Sequence, residues 1–180
     1  MIRVNLLILV GVISVSLGGC GMIAQVGDNS ASKVTNGDRL NIIVLHNGLM
    51  CGADLTSPDA VWMNNATQLS RRYANMAAVA EPPMVDFEQY GVLLVTMGQQ
   101  PTSGYRLNFL PSAHRVILSG RTLQINLAWE QPPPDSIQAQ VLTQPCLLLQ
   151  VPRRSFTRVE ILDQQGTVRF GRRMGRATGS

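Results

Sequence analysis

After residue 85 the chain consists largely of short apolar runs, some of which alternate with polar positions, and this pattern predicts β-strands. In the clearest example, residues 122–129, Leu123, Ile125, Leu127 and Trp129 alternate with polar or small residues. A period of two is typical of a strand with one buried face. Other strand-like runs lie at residues 40–46, 91–97, 105–110, 114–118, 140–143, 146–151, 156–162 and 167–170. Short strands at such regular spacing predict a sandwich or a barrel.

One segment before residue 82 has the period of a helix. The residues that would share one helical face are Trp62, Ala66, Leu69, Tyr73 and Met76. Ser57-Pro58-Asp59 resembles a helix start, because serine can cap, proline suits the first turn and aspartate favours the positive end of the helix dipole. We therefore expect a helix from about Ser57 to Ala78. The predicted fold class is mainly β with one added N-terminal helix (α+β), an antiparallel β-sandwich of which an immunoglobulin-like arrangement is one form.

The first twenty residues carry the features of a bacterial lipoprotein signal in the required order. Arg3 is followed by an almost wholly apolar run over residues 4–17, and Leu17-Gly18-Gly19-Cys20 resembles a lipobox. The resemblance implies cleavage of residues 1–19 and attachment of diacylglycerol to Cys20, which would be followed by further acylation such as palmitate. An ordinary cleaved signal with a free Cys20 is the alternative. Gly21, rather than Asp, follows the cysteine, which in a Gram-negative cell would direct the protein to the outer membrane, facing the periplasm or the surface.

Composition divides the rest of the chain. Residues 20–38 are rich in Gly, Ser, Asn and Asp and predict a flexible tether, residues 39–168 a single globular domain, and residues 169–180 a basic disordered tail. The formal charge of +4 comes largely from that tail and the leader, because residues 20–168 hold ten basic and eleven acidic side chains. A nucleic-acid-binding domain would carry its charge on the fold. We therefore expect a cell-envelope protein that is anchored to a membrane through Cys20 and has no nucleic-acid partner.

Two proline-containing loops are the candidate binding elements. The first is Pro101-Thr102-Ser103-Gly104-Tyr105, and the second is Pro132-Pro133-Pro134-Asp135. Rigid loops on a β scaffold commonly carry binding surfaces, and stiffness reduces the entropy lost on binding. We expect both loops, with Thr143-Gln144-Pro145, to form one surface, and Tyr105 and Trp129 to line a partner groove beside them. The alternative is that the prolines only protect strand ends from pairing.

The same motifs carry a family resemblance. Asp86-Phe87, Gly98, the two loops and Leu142-Thr143-Gln144-Pro145-Cys146 occur in the order found in the C-terminal domain of the protease complex subunit PrcB, over residues 85–166. Ser103 replaces a glycine of that pattern, and Cys146 replaces a tyrosine. The resemblance implies a secreted or lipidated subunit of a surface protease assembly, without catalytic activity of its own. Residues 100–105 also resemble, more faintly, one loop of the chagasin-type cysteine protease inhibitors, so an inhibitor is a distant alternative.

Enzyme chemistry is not indicated by the remaining residues. His46 and His114 both lie in predicted strands, and the cysteines and histidines show no metal-binding spacing. We expect no catalytic residue, metal, cofactor or small-molecule substrate. Cys51 and Cys146 form a possible disulfide in an oxidising compartment, with two buried thiols as the alternative. The predicted function is a non-enzymatic envelope lipoprotein whose loops bind a protein partner such as a protease. A structural envelope lipoprotein without a specific loop ligand is the second hypothesis.

Overall fold

The computed structural model describes residues 37–52, 54–76, 81–110 and 116–174. The predicted leader, Cys20, most of the tether and residues 175–180 lie outside these ranges. The described elements are β1 (Asp38–Arg39), β2 (Ile43–Gly48), β3 (Asp59–Met63), α1 (Ala66–Ala74), β4 (Tyr90–Thr96), β5 (Arg106–Phe109), β6 (Val116–Ser119), β7 (Thr122–Glu130), β8 (Cys146–Pro152), β9 (Arg158–Leu162) and β10 (Val168–Arg173). Among the described residues, no helix has the length and apolar character needed to cross a membrane.

The strands form two sheets. The larger has the order β1-β6-β7-β9-β10, and β5 pairs with the second half of β7. The smaller has the order β2-β8-β4-β3. Every pair is antiparallel except β7 and β9, which run parallel. The predicted fold class, mainly β with one helix and a sandwich arrangement, is confirmed.

The core has two parts that share the smaller sheet. One face of β4 and β8 packs on the larger sheet, through fully buried residues such as Leu93 and Leu149 on one side and Ile125 and Ile161 on the other. The opposite face of the same strands, including Leu94 and Leu148, packs on α1 and the chain beside it. Because β4 and β8 are covered on both faces, their sequences are continuously apolar rather than alternating.

The helix is much shorter than predicted. Residues 59–63 form strand β3, and α1 begins only after Asn65, whose side chain accepts a hydrogen bond from the Gln68 N–H at 2.9 Å. The Gln68 side chain in turn accepts from the Asn64 N–H at 3.0 Å, which completes an arrangement like a capping box. The predicted start at Ser57 was wrong because proline is also tolerated at the beginning of an edge strand. The far end of the predicted helix, residues 77 and 78, lies outside the described residues.

Trp62 therefore does not belong to the helical stripe. It lies on β3 and packs against the larger-sheet core, with its ring 5.1 Å from the Phe156 ring. Leu69, Tyr73 and Met76 do lie buried against the smaller sheet.

Two other expectations about secondary structure were wrong. Residues 140–143 form no strand, and only Thr143 makes an isolated bridge, to Gln100. Residues 169–173 are not a disordered tail, because they complete β10 against β9. Two of their three charges have partners: Arg169 lies 5.3 Å from the Trp129 ring centroid and 3.7 Å from Asp163, and Arg172 lies 3.4 Å from Asp59.

Candidate functional site

The first proline loop, residues 98–105, is fixed at its beginning. Gly98 has a φ of 73°, and a Cβ there would lie 2.5 Å from the Ser57 carbonyl carbon, so only glycine fits. The Gln99 N–H donates to the Thr56 carbonyl at 3.0 Å. The Thr96 hydroxyl accepts from the Gly98 N–H at 3.0 Å and donates to the Pro145 carbonyl at 3.2 Å. These contacts tie the loop both to the chain before β3 and to the chain before β8.

The second proline loop, residues 131–139, lies directly beside the first. The Ser103 N–H donates to the Ala139 carbonyl at 3.3 Å. A Cβ at Gly104 would lie 2.6 Å from the Pro132 Cβ and 2.7 Å from the Gln138 Oε1. The close approach of the loops therefore requires a residue without a side chain at position 104. The structure brings the two loops together.

A third segment, residues 141–145, is hydrogen-bonded to the first loop. Gln100 and Thr143 exchange main-chain hydrogen bonds of 2.7 and 2.9 Å, and the Thr143 hydroxyl donates to the Thr102 carbonyl at 2.8 Å. Thr143 is only 5% exposed, and Pro145 is buried. We had expected both to contact a partner. Their burial assigns them to holding the first loop in place instead.

The exposed part of this arrangement contains apolar side chains, of which the sequence pattern had indicated only Leu142. Ile137 is fully exposed, Leu142 is 60% exposed and Met50 is 51% exposed. Met50, Gln99 and Leu142 surround a shallow depression of about 190 Å³, with Thr143 and Gln144 also lining it. A usable signal was present in the sequence: Val141-Leu142 is an apolar pair beside Pro145, in a segment too short to form a full strand.

We call this region the loop surface and define it by its exposed residues. These are Met50, Gln99, Pro101, Pro133, Pro134, Asp135, Ile137, Val141 and Leu142. The half-buried residues Thr102, Ser103, Gly104, Tyr105 and Pro132 lie at its base or margin. Its two proline loops and residues 141–142 fall between β4 and β8 in the sequence.

Residues 92–152 match the PrcB C-terminal family. No curated protein and no solved structure matches the chain. The match begins in β4 and ends in β8, so it includes the two proline loops and the segment beneath them. We refer to residues 92–152 as the PrcB C-terminal segment.

The two aromatic residues that flank the loops differ in exposure. Tyr105 is half-buried and packs against the core between the sheets. Trp129 is 8% exposed and is covered by Arg169 and Phe170. The expectation that Trp129 lines a partner groove was therefore wrong, because β10 covers it.

Cys51 and Cys146 form a disulfide, with a Cα–Cα distance of 6.0 Å, and both are fully buried. Cys146 lies within the PrcB C-terminal segment, and Cys51 lies outside it. The bond fixes one end of the loop surface. Beside it, the Gln144 N–H donates to the Leu49 carbonyl at 2.6 Å, next to Met50.

The described part of the structure places His46 against an aromatic ring. Its ring meets the Tyr73 ring edge-on at 5.9 Å, and none of the hydrogen bonds between described residues involves the imidazole. Burial lowers the pKa of His46, which favours the neutral ring. Among all the residues that the structure describes, no cluster of three or more His, Cys, Asp or Glu residues is arranged to hold a metal ion. His114 lies outside the described residues.

Proposed function

We propose that this protein is a non-enzymatic, membrane-anchored envelope lipoprotein whose loop surface binds another protein, a protease or a member of a protease complex. The observation that carries the proposal is the loop surface itself. Two proline loops and a third segment are joined by main-chain hydrogen bonds, and together they present exposed aliphatic residues. Such a surface loses little conformational entropy on binding, because it is already ordered.

The shape of the loop surface favours a protein over a small molecule. Its depression of about 190 Å³ is smaller than the roughly 300–1,000 Å³ of typical small-molecule pockets. Exposed apolar side chains with a polar surround, here Gln99 and Asp135, are typical of protein–protein contacts. The depression would accept one apolar side chain of a partner.

The type of partner is inferred from the family. The PrcB C-terminal segment contains both proline loops. The resemblance to PrcB implies association with a protease complex. A binding role agrees with a site whose exposed residues are mainly prolines and apolar side chains.

The membrane anchor is inferred from Leu17-Gly18-Gly19-Cys20. Several acyl chains on one cysteine would hold the protein firmly, since each buried methylene contributes about 0.8 kcal/mol. Metabolic labelling with a fatty-acid probe tests this assignment. We expect label on the wild type and none on Cys20→Ala; equal labelling of both proteins would contradict the anchor.

A crosslinking pull-down from cell envelopes tests the loop surface. Leu142→Glu places a charge in the centre of the surface, and we expect it to abolish recovery of the partner without unfolding the protein, because Leu142 is exposed. Met84→Glu is the matched control, since Met84 is also an exposed apolar residue but lies in the segment before β4. Equal recovery with both variants would favour a structural envelope role over loop binding.

A further inference from the structure

The smaller sheet has an open edge at β3. This strand is the last in the order β2-β8-β4-β3 and pairs only with β4. The Ala60 N–H donates to the Asp59 Oδ1 at 2.8 Å, so it points away from β4. In an antiparallel pair, each residue directs both its N–H and its C=O either toward the partner strand or away from it, and the direction alternates from one residue to the next. Trp62 therefore directs both main-chain groups outward, and within the described chain neither group has a partner on that side.

A groove runs along this edge. Its volume is about 230 Å³, and one wall is formed by Val61, Trp62 and Met63. The other wall is formed by residues of α1 and its C-cap at helical spacing: Gln68, Arg71, Arg72 and Asn75. The outward groups of Trp62 thus lie in the middle of the strand wall, opposite a helix. A strand edge with a helix beside it is an arrangement that binds extended peptides in several protein families.

Around the groove, the negative charges are paired within the domain, whereas one positive charge is not. The nearby carboxylates have partners within the domain: Asp54 bonds to Arg72 at 2.8 Å, and Asp59 lies 3.4 Å from Arg172. The hydrogen bond from Arg72 lowers the pKa of Asp54 and keeps it ionised. Arg71 is exposed and has no ion pair among the described residues. At the end of β3, Arg153 Nη2 bonds to the Asn64 carbonyl at 2.8 Å. The free charge of the groove is therefore positive.

We propose that this groove binds an extended, acidic segment of a partner protein, which adds to the smaller sheet as a strand beside β3. The main chain of the segment would pair with the N–H and C=O of Trp62, and alternate side chains would enter the groove. A carboxylate would pair with Arg71. A second copy of this chain fits less well, because it would bring the same cationic groups, Arg71 and Arg153, against themselves.

This binding site is separate from the loop surface, since none of its lining residues belongs to that surface or to the PrcB C-terminal segment. The two sites can therefore be tested independently. Loss of binding at the loop surface in Leu142→Glu should leave peptide binding at β3 unchanged.

The first test selects ligands for the full-length purified protein from short random peptides displayed on phage. We expect the selected peptides to be rich in Asp, Glu and β-branched residues. Arg71→Glu should weaken a selected peptide by about tenfold or more, the size of a charge-assisted hydrogen bond. Arg121→Glu is the matched control, because Arg121 is exposed in the turn between β6 and β7, and it should bind as the wild type does. Selection of basic peptides, or equal binding by both variants, would overturn the proposal.

The second test measures the main-chain pairing directly. A bound strand should slow hydrogen exchange of the Trp62 amide, because that N–H gains a partner. N-methylation of alternate peptide residues should abolish binding in one register and leave it intact in the other, since only one set of amides faces β3. Tolerance of both methylation patterns would overturn strand addition. Protection of the Trp62 amide by concentration-dependent dimerisation, without peptide, would assign the edge to self-association and also overturn it.

Discussion

At the scale of single residues, neighbouring loop residues have different roles: some are exposed to a partner, and others hold the loop in place. Pro101 is exposed, while the carbonyl of Thr102 next to it accepts a hydrogen bond from the hydroxyl of the buried Thr143. Thr96 has a similar supporting role, since its hydroxyl joins Gly98 to Pro145. The buried threonines satisfy loop main-chain groups that water would otherwise have to satisfy. Exposed apolar side chains such as Ile137 and Leu142 can thus change without loss of the loop conformation, whereas Thr96 and Thr143 cannot.

The disulfide leads to the first prediction. Cys51 and Cys146 are separated by 95 residues, so their bond closes a long loop in the unfolded chain. Replacing both with Ala should lower the free energy of unfolding by about 3 to 5 kcal/mol. Guanidinium denaturation measures the change. A reductant present during unfolding should destabilise the wild type and leave the double variant unaffected; a loss below about 1 kcal/mol would contradict a constraining role.

The environment of His46 leads to a second prediction. Its pKa is lowered from the ordinary value of 6.5 in the folded protein, so the unfolded state binds more protons just below that pH. Folded-state stability should therefore begin to fall as the pH drops through 6.5, and this contribution should be lost completely below the folded pKa.

Denaturation at several pH values between about 7 and 5 tests the effect of His46. His46→Gln should show a shallower dependence than the wild type, because glutamine does not titrate. His114→Gln, measured in parallel, separates the contribution of the second histidine. Identical slopes for the wild type and His46→Gln would show that the pKa of His46 is the same in the folded and unfolded states.

At the scale of elements, sequence periodicity identified most strands and misplaced the helix. The alternating pattern of β7 results from burial of one face, and the continuous apolar runs of β4 and β8 result from burial of both faces. The apolar stripe that begins at Trp62 combines residues of two different elements, a strand and a helix. Trp62 lies on a strand, and its spacing from Ala66 only coincides with a helical turn. Asn65 and Gln68, which cap the helix, were the better signal for its start.

Leu69 gives a third prediction, at this scale. It is 2% exposed and packs on the outer face of the smaller sheet. Leu69→Ala should lower the free energy of unfolding by about 2 to 5 kcal/mol, because the substitution leaves a cavity beneath α1. Ser70→Ala, the exposed neighbour, should change it by no more than about 0.5 kcal/mol. Equal effects of the two substitutions would mean that α1 is not packed on the sheet.

At the scale of the whole molecule, the convergence of the loops shows where sequence reasoning stops. Loop composition indicated stiffness, and the family pattern indicated that the same segments belong together. Neither gives the register of β4 on β8, which places residue 97 beside residue 145 and so brings the first loop over the third segment. The burial of Trp129 is a similar case, since it depends on the place of β10 in the larger sheet. The sequence predicted a strand only over residues 167–170 and did not place it beside Trp129.

The parallel pairing of β7 with β9 has a consequence for how the chain folds. The edge of β7 that receives β9 remains open until residues 158–162 have been added, although the PrcB C-terminal segment is complete by residue 152. Because β4–β8 and β7–β9 both join distant parts of the sequence, contact order is high and folding should be slow, on the millisecond-to-second scale.

A chain truncated after Pro152 should therefore expose the apolar residues of β7 and aggregate, although it retains every family-matched residue. Light scattering after dilution from denaturant, with the full-length chain as the control, measures this. A soluble, cooperatively folding truncation would mean that the smaller sheet and β7 form a folding unit without β9 and β10. If the truncated chain aggregates, β9 and β10, which follow the family-matched residues in the chain, decide whether the loops ever reach their folded arrangement.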